Sequence, residues 1–197
     1  MTTDFWKVAV LIAAAAMFVS SVWGAIAFFK VQDAQALSGK RRVSLIGGAA
    51  IALSLWNVSR AELVVPLRFA AALALLAGGA GLFWLAVYTC RRQVMAFAFA
   101  ATVPADLIVD GPYRHVRHPF YSSYLLGWAG CLVAAPNALS LSIFAVMAWI
   151  YRAAAIREES VLLASSWGPA YRDYVRVTGR FVPRLRLKVR GRDLRAG

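Results

Sequence analysis

The chain has 197 residues, of which 61% are hydrophobic and only 16% charged, and its mean hydropathy is positive. That composition excludes an ordinary soluble domain and indicates an integral membrane protein with little extramembrane structure. The net charge of +13 reflects which loops face the cytosol and is not evidence for nucleic-acid binding.

The first apolar stretch runs from Trp6 to Phe29. It is long and lacks a basic leader and a cleavage site, so it is expected to be a span and not a cleaved signal peptide. Val43 to Ser59 forms a second, shorter stretch and Phe69 to Cys90 a third. Gly78, Gly79 and Gly81 lie inside the third stretch with no strand before them, which excludes a dinucleotide-binding loop and points to close helix packing. After Arg91 and Arg92 comes the block GPYRHVRHPFY at 111–121, then a fourth stretch from Tyr121 to Ala135. Pro136-Asn137 leaves almost no loop before the fifth stretch, Ala138 to about Ala155, so these two form a tight antiparallel hairpin. Its open end brings the 111–121 block beside Glu158-Glu159.

Past the hairpin, Trp167, Tyr171 and Tyr174 recur at helical spacing after Gly168-Pro169. They predict a short cytosolic helix that lays an aromatic face on the membrane or over a pocket. The tail from Arg184 is basic and suits anionic lipid better than nucleic acid. Cys90 and Cys131 have no paired spacing, and neither a metal site nor a disulfide is indicated. The expected fold is therefore all-α and polytopic, with about five transmembrane helices, the C-terminal hairpin and the short helix. It forms a single membrane domain: N-terminal spans over 1–103, the functional region over 104–184 and a basic tail over 185–197.

Charge placement gives the orientation. Of the 22 Lys and Arg, nineteen fall on one set of alternate sides, including Lys30, Lys40, Arg41, Arg42, Arg114, Arg117 and those from Arg152 onward, against three on the other: Lys7, Arg60 and Arg68. The positive-inside rule places the C-terminus, the 111–121 block and the glutamate pair in the cytosol and the N-terminus outside, in the cytoplasmic membrane if the cell is bacterial.

The elements RHPFY, a hydrophobic hairpin arm, Glu-Glu and WGPAYRDYVRVTGRFVP occur in that order. They resemble the signature of the isoprenylcysteine carboxyl methyltransferase family and its phospholipid methyltransferase relatives. Arg117, His118, Pro119, Tyr121, Glu158, Glu159, Gly168, Tyr171, Tyr174, Arg180, Phe181 and Pro183 fall on the pattern. The resemblance covers about residues 104–184; the first three stretches carry no signature. It implies a lipid-modifying enzyme that methylates with S-adenosyl-L-methionine and binds it without a Rossmann domain. The acceptor would be lipophilic or membrane-embedded, methylated on O, N or S.

On this resemblance, Tyr113, Arg117, His118, Pro119, Tyr121, Glu158 and Tyr171 are expected to hold the cofactor, and Arg117, Glu158 and Glu159 to serve catalysis. The chemistry of S-adenosylmethionine agrees with those residue types. Arg and His offer donors to its carboxylate or ribose, Glu accepts from its ammonium or ribose hydroxyls, and Tyr faces attract its sulfonium. Adjacent helical positions diverge by about 100°, so one glutamate is expected to face the cofactor and the other a basic partner or the acceptor. Plainer readings stand beside these. Arg114 and Arg117 also suit ordinary juxtamembrane charges, and Tyr113, Tyr121, Tyr124 and Trp128 an interfacial belt. His115 reads as a solvated neighbour of His118. Two other functional classes remain: an NADPH-dependent membrane reductase of the sterol reductase type, and a non-enzymatic membrane adaptor or transport protein.

Overall fold

The computed structural model describes residues 3–27, 29–30, 34–62, 65–90, 95–96 and 107–184, with side chains over 4–24, 43–62, 65–90 and 107–184. The basic tail 185–197, Arg91, Arg92 and the side chains of Lys30, Lys40, Arg41 and Arg42 lie outside them. Five apolar helices make up the body: α1 (Thr3–Ala27), α2 (Ala34–Ser59), α3 (Pro66–Cys90), α4 (Pro119–Ala134) and α5 (Ala138–Ala164). A short amphipathic helix, α6 (Gly168–Val177), follows. Two-residue strands β1 (Phe29–Lys30) and β2 (Met95–Ala96) pair in parallel.

The expected spans appear as helices, but not all are long enough to cross a bilayer. Asp4–Gly24, Pro66–Cys90 and Ala138–Ala164 meet the requirement of length and apolarity, and the apolar part of α2, Val43–Ser59, is shorter. Helix α4 has 16 residues, a rise of about 24 Å against about 30 Å of hydrocarbon. Its ends are cut by sequence: Pro119 sits in its first turn behind a non-helical His118, and Ala135-Pro136 stops it. The opposite departure occurs in α5, which continues nine residues beyond Ala155 to Ala164. Glu158 and Glu159 therefore lie within the helix and not past its end.

Helix α3 is central and packs most extensively on α4 and α1. Without a hydrophobic drive between apolar helices in lipid, close backbone approach supplies the packing. A Cβ at Gly79 would come within 2.9 Å of the Ser123 carbonyl, and one at Gly130 within 2.8 Å of Leu76 Cγ. Gly78 and Gly81 face open space, so one of the three clustered glycines, Gly79, makes the contact. Phe69, Leu76 and Phe83 of α3 are buried with Met17 of α1, Trp128 of α4 and Met147 of α5.

At the turn of the α4–α5 hairpin a polar clasp ties in α2. The Asn57 amide donates to the Ser140 hydroxyl at 2.6 Å, and the Asn137 amide donates to Asn57 Oδ1 at 2.9 Å. Asn137 also caps α5, accepting from the Ser140 amide at 3.0 Å. The hairpin's other end is thereby free to form the site.

Candidate functional site

The segment entering α4 is bent before it reaches the helix. Gly111 has φ +55°, a left-handed conformation that side chains disfavour, and a Cβ there would stand 2.5 Å from Thr89 Oγ1. It opens a 3-10 turn, Gly111–Arg114, which buries Pro112 and Tyr113. Tyr113 is pinned at both ends: Cys90 donates to its hydroxyl at 3.3 Å, and the Tyr174 hydroxyl donates to its carbonyl at 2.6 Å. Burial and the neighbouring Cys90 push the Tyr113 phenol well above its usual pKa, so it stays protonated.

Between His115 and His118 the chain pairs in parallel, through a bridge at Val116 and Gly179, with the segment after α6. The Gly179 amide donates to the His115 carbonyl at 3.2 Å, the Arg117 amide to Gly179 at 2.8 Å and the His118 amide to Arg180 at 3.1 Å. This short ladder fixes where the Arg117 and His118 side chains emerge. Both reach α5, where the two glutamates project in different directions.

Glu159 is the centre of a buried ion cluster. Its Oε1 accepts from Arg117 Nε at 3.0 Å and Arg180 Nε at 3.0 Å, and lies 3.1 Å from His118 Nε2; its Oε2 accepts from Arg180 Nη2 at 2.7 Å. Arg117 also donates through Nη1 to the Thr178 carbonyl at 2.5 Å. The side chains of Arg117, His118 and Glu159 are each less than a tenth exposed. Every charge in such a place must be paired, and these are.

Glu158 has other company. Its Oε1 accepts from the Tyr121 hydroxyl at 2.6 Å, and its Oε2 lies 3.3 Å from His118 Nδ1. The side chain is 30% exposed. Tyr121 stacks on Tyr151 at 5.4 Å and on His118 at 5.6 Å, and Tyr124 stands 5.5 Å from Tyr151. The one partly open carboxylate of the cluster thus stands at the end of an aromatic wall formed by α4 and α5.

His118 bridges the two carboxylates, one at each ring nitrogen. Burial pulls its pKa down, but hydrogen bonds and charge attraction from Glu158 and Glu159 outweigh that and raise it above the ordinary histidine value. As imidazolium it donates to both. Arg180 is likewise held more firmly charged by its bonds to Glu159.

Of the sequence-predicted residues, Arg117, His118, Tyr121, Glu158 and Glu159 are brought into one bonded group, with Pro119 starting the helix beneath them. Tyr113 and Tyr171 belong to the buried packing around it. Tyr171 is less than 2% exposed and stands 5.8 Å from Tyr174, so α6 turns these tyrosines to the protein and not to the membrane. His115 is exposed. Sequence reasoning passed over Arg180 as a partner of Glu159 and Tyr151 as the surface on which Tyr121 stacks. The basic-aromatic-aliphatic-Pro turn at 180–183 was the available signal for Arg180; nothing local marks Tyr151.

A family model described as phospholipid methyltransferase matches residues 67–170, just over half of the chain. The chain is 32% identical over 108 residues to the nickel-cobalt-cadmium resistance protein NccN of Alcaligenes xylosoxydans xylosoxydans, covering 54% of this chain and 45% of that protein. It is 34% identical over 77 residues to protein-S-isoprenylcysteine O-methyltransferase B of Arabidopsis thaliana, 39% of each chain. The corresponding Schizosaccharomyces pombe methyltransferase is 31% identical over 68 residues, covering 34% of this chain and 29% of that one. The chain thus spans less than half the length of these curated relatives.

Proposed function

The chain belongs to the phospholipid methyltransferase family, and from that premise we propose that it transfers a methyl group from S-adenosylmethionine to a lipophilic acceptor in the membrane. The observation that carries the reading is the division of labour between adjacent glutamates. Glu159 is neutralised by Arg117 and Arg180, whereas Glu158 is partly open and bonded to the Tyr121 hydroxyl at the end of the aromatic wall. A carboxylate beside aromatic faces suits a cation, and S-adenosylmethionine carries two, its ammonium and its sulfonium. The residues present fit that group.

When bound, the cofactor supplies an electrophilic methyl on a sulfonium sulfur. In this reading Glu158 and Tyr121 hold its cationic or ribose groups, with His118 fixing the direction of Glu158. Arg117 and Glu159 act as positioning residues, since the hydrogen bonds of both go to protein partners. Pro119, Tyr113 and Tyr171 hold the backbone and floor around them. Buried aromatic walls keep water from the site, which favours a reaction in which charge is neutralised. A carboxylate acceptor would need no base; an acceptor bearing a proton would give it up to Glu158, the carboxylate in the partly open region.

In this reading the acceptor enters from the bilayer between the helices, and the distribution of Lys and Arg supports a site and C-terminus on the cytosolic side. Isothermal calorimetry with S-adenosylhomocysteine on the detergent-purified protein tests the reading. Wild type is expected to bind and Glu158→Ala to lose binding, after which lipid extracts are screened with labelled S-adenosylmethionine. A well-folded wild type that does not bind defeats it.

A further inference from the structure

The matched family region stops at residue 170, yet Glu159 takes two of its hydrogen bonds from Arg180. Arg180 rides on a strap, residues 178–184, that leaves α6 and lies along His115–His118 in the ladder described above. A Cβ at Gly179 would overlap the Val182 carbonyl, so the course of the strap depends on that glycine. Beyond the ladder, the Ser122 hydroxyl donates to the Phe181 carbonyl at 2.7 Å, and the Phe181 ring meets the edge of His118 at 6.0 Å.

Around the imidazole stand Glu158 and Glu159 from α5, Tyr121 from α4, Arg117 beside it in the chain and Phe181 and Arg180 from the strap; Tyr171 of α6 lies near Glu159. Three donors, from Arg117, Arg180 and His118, converge on the same Glu159 oxygen. Whatever share of that oxygen one of them takes is withdrawn from the others. Arg180 differs from Arg117 in also gripping the second oxygen, and in being about a third exposed.

We propose that Arg180 is a positioning residue whose fork on Glu159 limits how much of that carboxylate His118 receives, so that seating of the strap sets the charge of the site. With the strap seated, two guanidinium groups share Glu159, and Glu158 is the chief counter-charge to the imidazole. With it released, Glu159 falls to Arg117 and His118 alone, and the imidazole holds its proton more tightly. The purpose of that charge rests on the reading of Glu158 and His118 as the cofactor site; the ion network stands without it.

The chain has two histidines, so a His115→Gln background leaves one imidazole signal from carbon-labelled histidine in the NMR spectrum of the detergent-solubilised protein. Arg180→Ala is expected to move the midpoint of that signal's pH titration upward by about one pH unit. Arg180→Lys, which keeps the charge but not the fork, is expected to move it upward by less. Arg184→Ala, an exposed neighbour on the strap, should leave it in place. An unmoved midpoint in Arg180→Ala with wild-type circular dichroism overturns the proposal. If that variant does not fold, a midpoint in Arg180→Lys at or below the wild-type value does the same. S-adenosylhomocysteine binding, measured on the same samples, separates the two ideas. A titration that moves in a protein that does not bind leaves the network standing and the methyltransferase reading defeated; an unmoved titration in a binding protein gives the reverse.

Discussion

Replacing Glu159 by glutamine keeps the shape of the side chain and removes its charge. Arg117 would then sit with its side chain 6% exposed and no counter-charge, and the new amide nitrogen or oxygen would have to face Arg180 with only one acceptor between three donors. Breaking a buried ion pair by neutralising one partner costs about 3 kcal/mol or more. For a chain of this length that is a fall of about 6–12 °C in the unfolding midpoint. The same change at Glu158, 30% exposed and bonded to a tyrosine hydroxyl and one imidazole nitrogen, should cost about 1 kcal/mol, or about 2–4 °C. Cys90 and Cys131 are both buried and free, so a thiol-reactive fluorophore reports unfolding directly in detergent. Equal falls for Glu159→Gln and Glu158→Gln, or a larger one for Glu158→Gln, would refute the assignment of Glu159 as the structural centre.

Tyr121→Phe removes the 2.6 Å hydrogen bond to Glu158 and leaves the ring stack; S-adenosylhomocysteine affinity should fall about tenfold by calorimetry with the unfolding midpoint nearly unchanged. Because His118 has a raised pKa in the folded protein, its contribution to stability is fully present below the ordinary histidine value of 6.5 and is lost as pH rises through the raised one. Unfolding midpoints should therefore decline on the alkaline side of 6.5, and His118→Gln should flatten that limb. Asn57→Ala leaves Asn137 and Ser140 short of partners at the closed end of the hairpin; it should lower stability by about 1 kcal/mol while cofactor affinity holds, a dissociation visible in paired thermal and calorimetric runs.

The hydrophobic stretches were readable because lipid leaves a backbone few choices: once 69–90 or 138–155 is apolar, a helix is the way to satisfy its amides and carbonyls. Helix ends were less so. The fifth helix runs on through Arg157-Glu158-Glu159 because leucines, alanines and long charged side chains favour helix whether or not lipid surrounds them, so hydropathy marks where the apolar stretch ends, not where the helix does. At the site, motif spacing made Arg117, His118 and the glutamates candidates, and the tight Pro136-Asn137 turn implied that they meet. Arg180 escaped because its link to Glu159 depends on a backbone ladder between His115–His118 and residues 179–180, and pairing so short leaves no periodicity. The stacking of Tyr121 on Tyr151 was hidden for a related reason: it depends on the relative rotation of two helices, which sequence distance does not encode.

The strap also places the site in the order of biosynthesis. Chains emerge from the N-terminus, so Arg117, His118 and the glutamates are made while residues 178–181 are still untranslated. During that interval Arg117 lacks the Thr178 carbonyl, and the Arg117 and His118 amides lack the Gly179 and Arg180 carbonyls. The last pieces of the site to be synthesised are those that tie its first pieces down. A nascent or prematurely terminated chain therefore carries the whole glutamate pair and RHPFY block in an unlatched form until the strap docks.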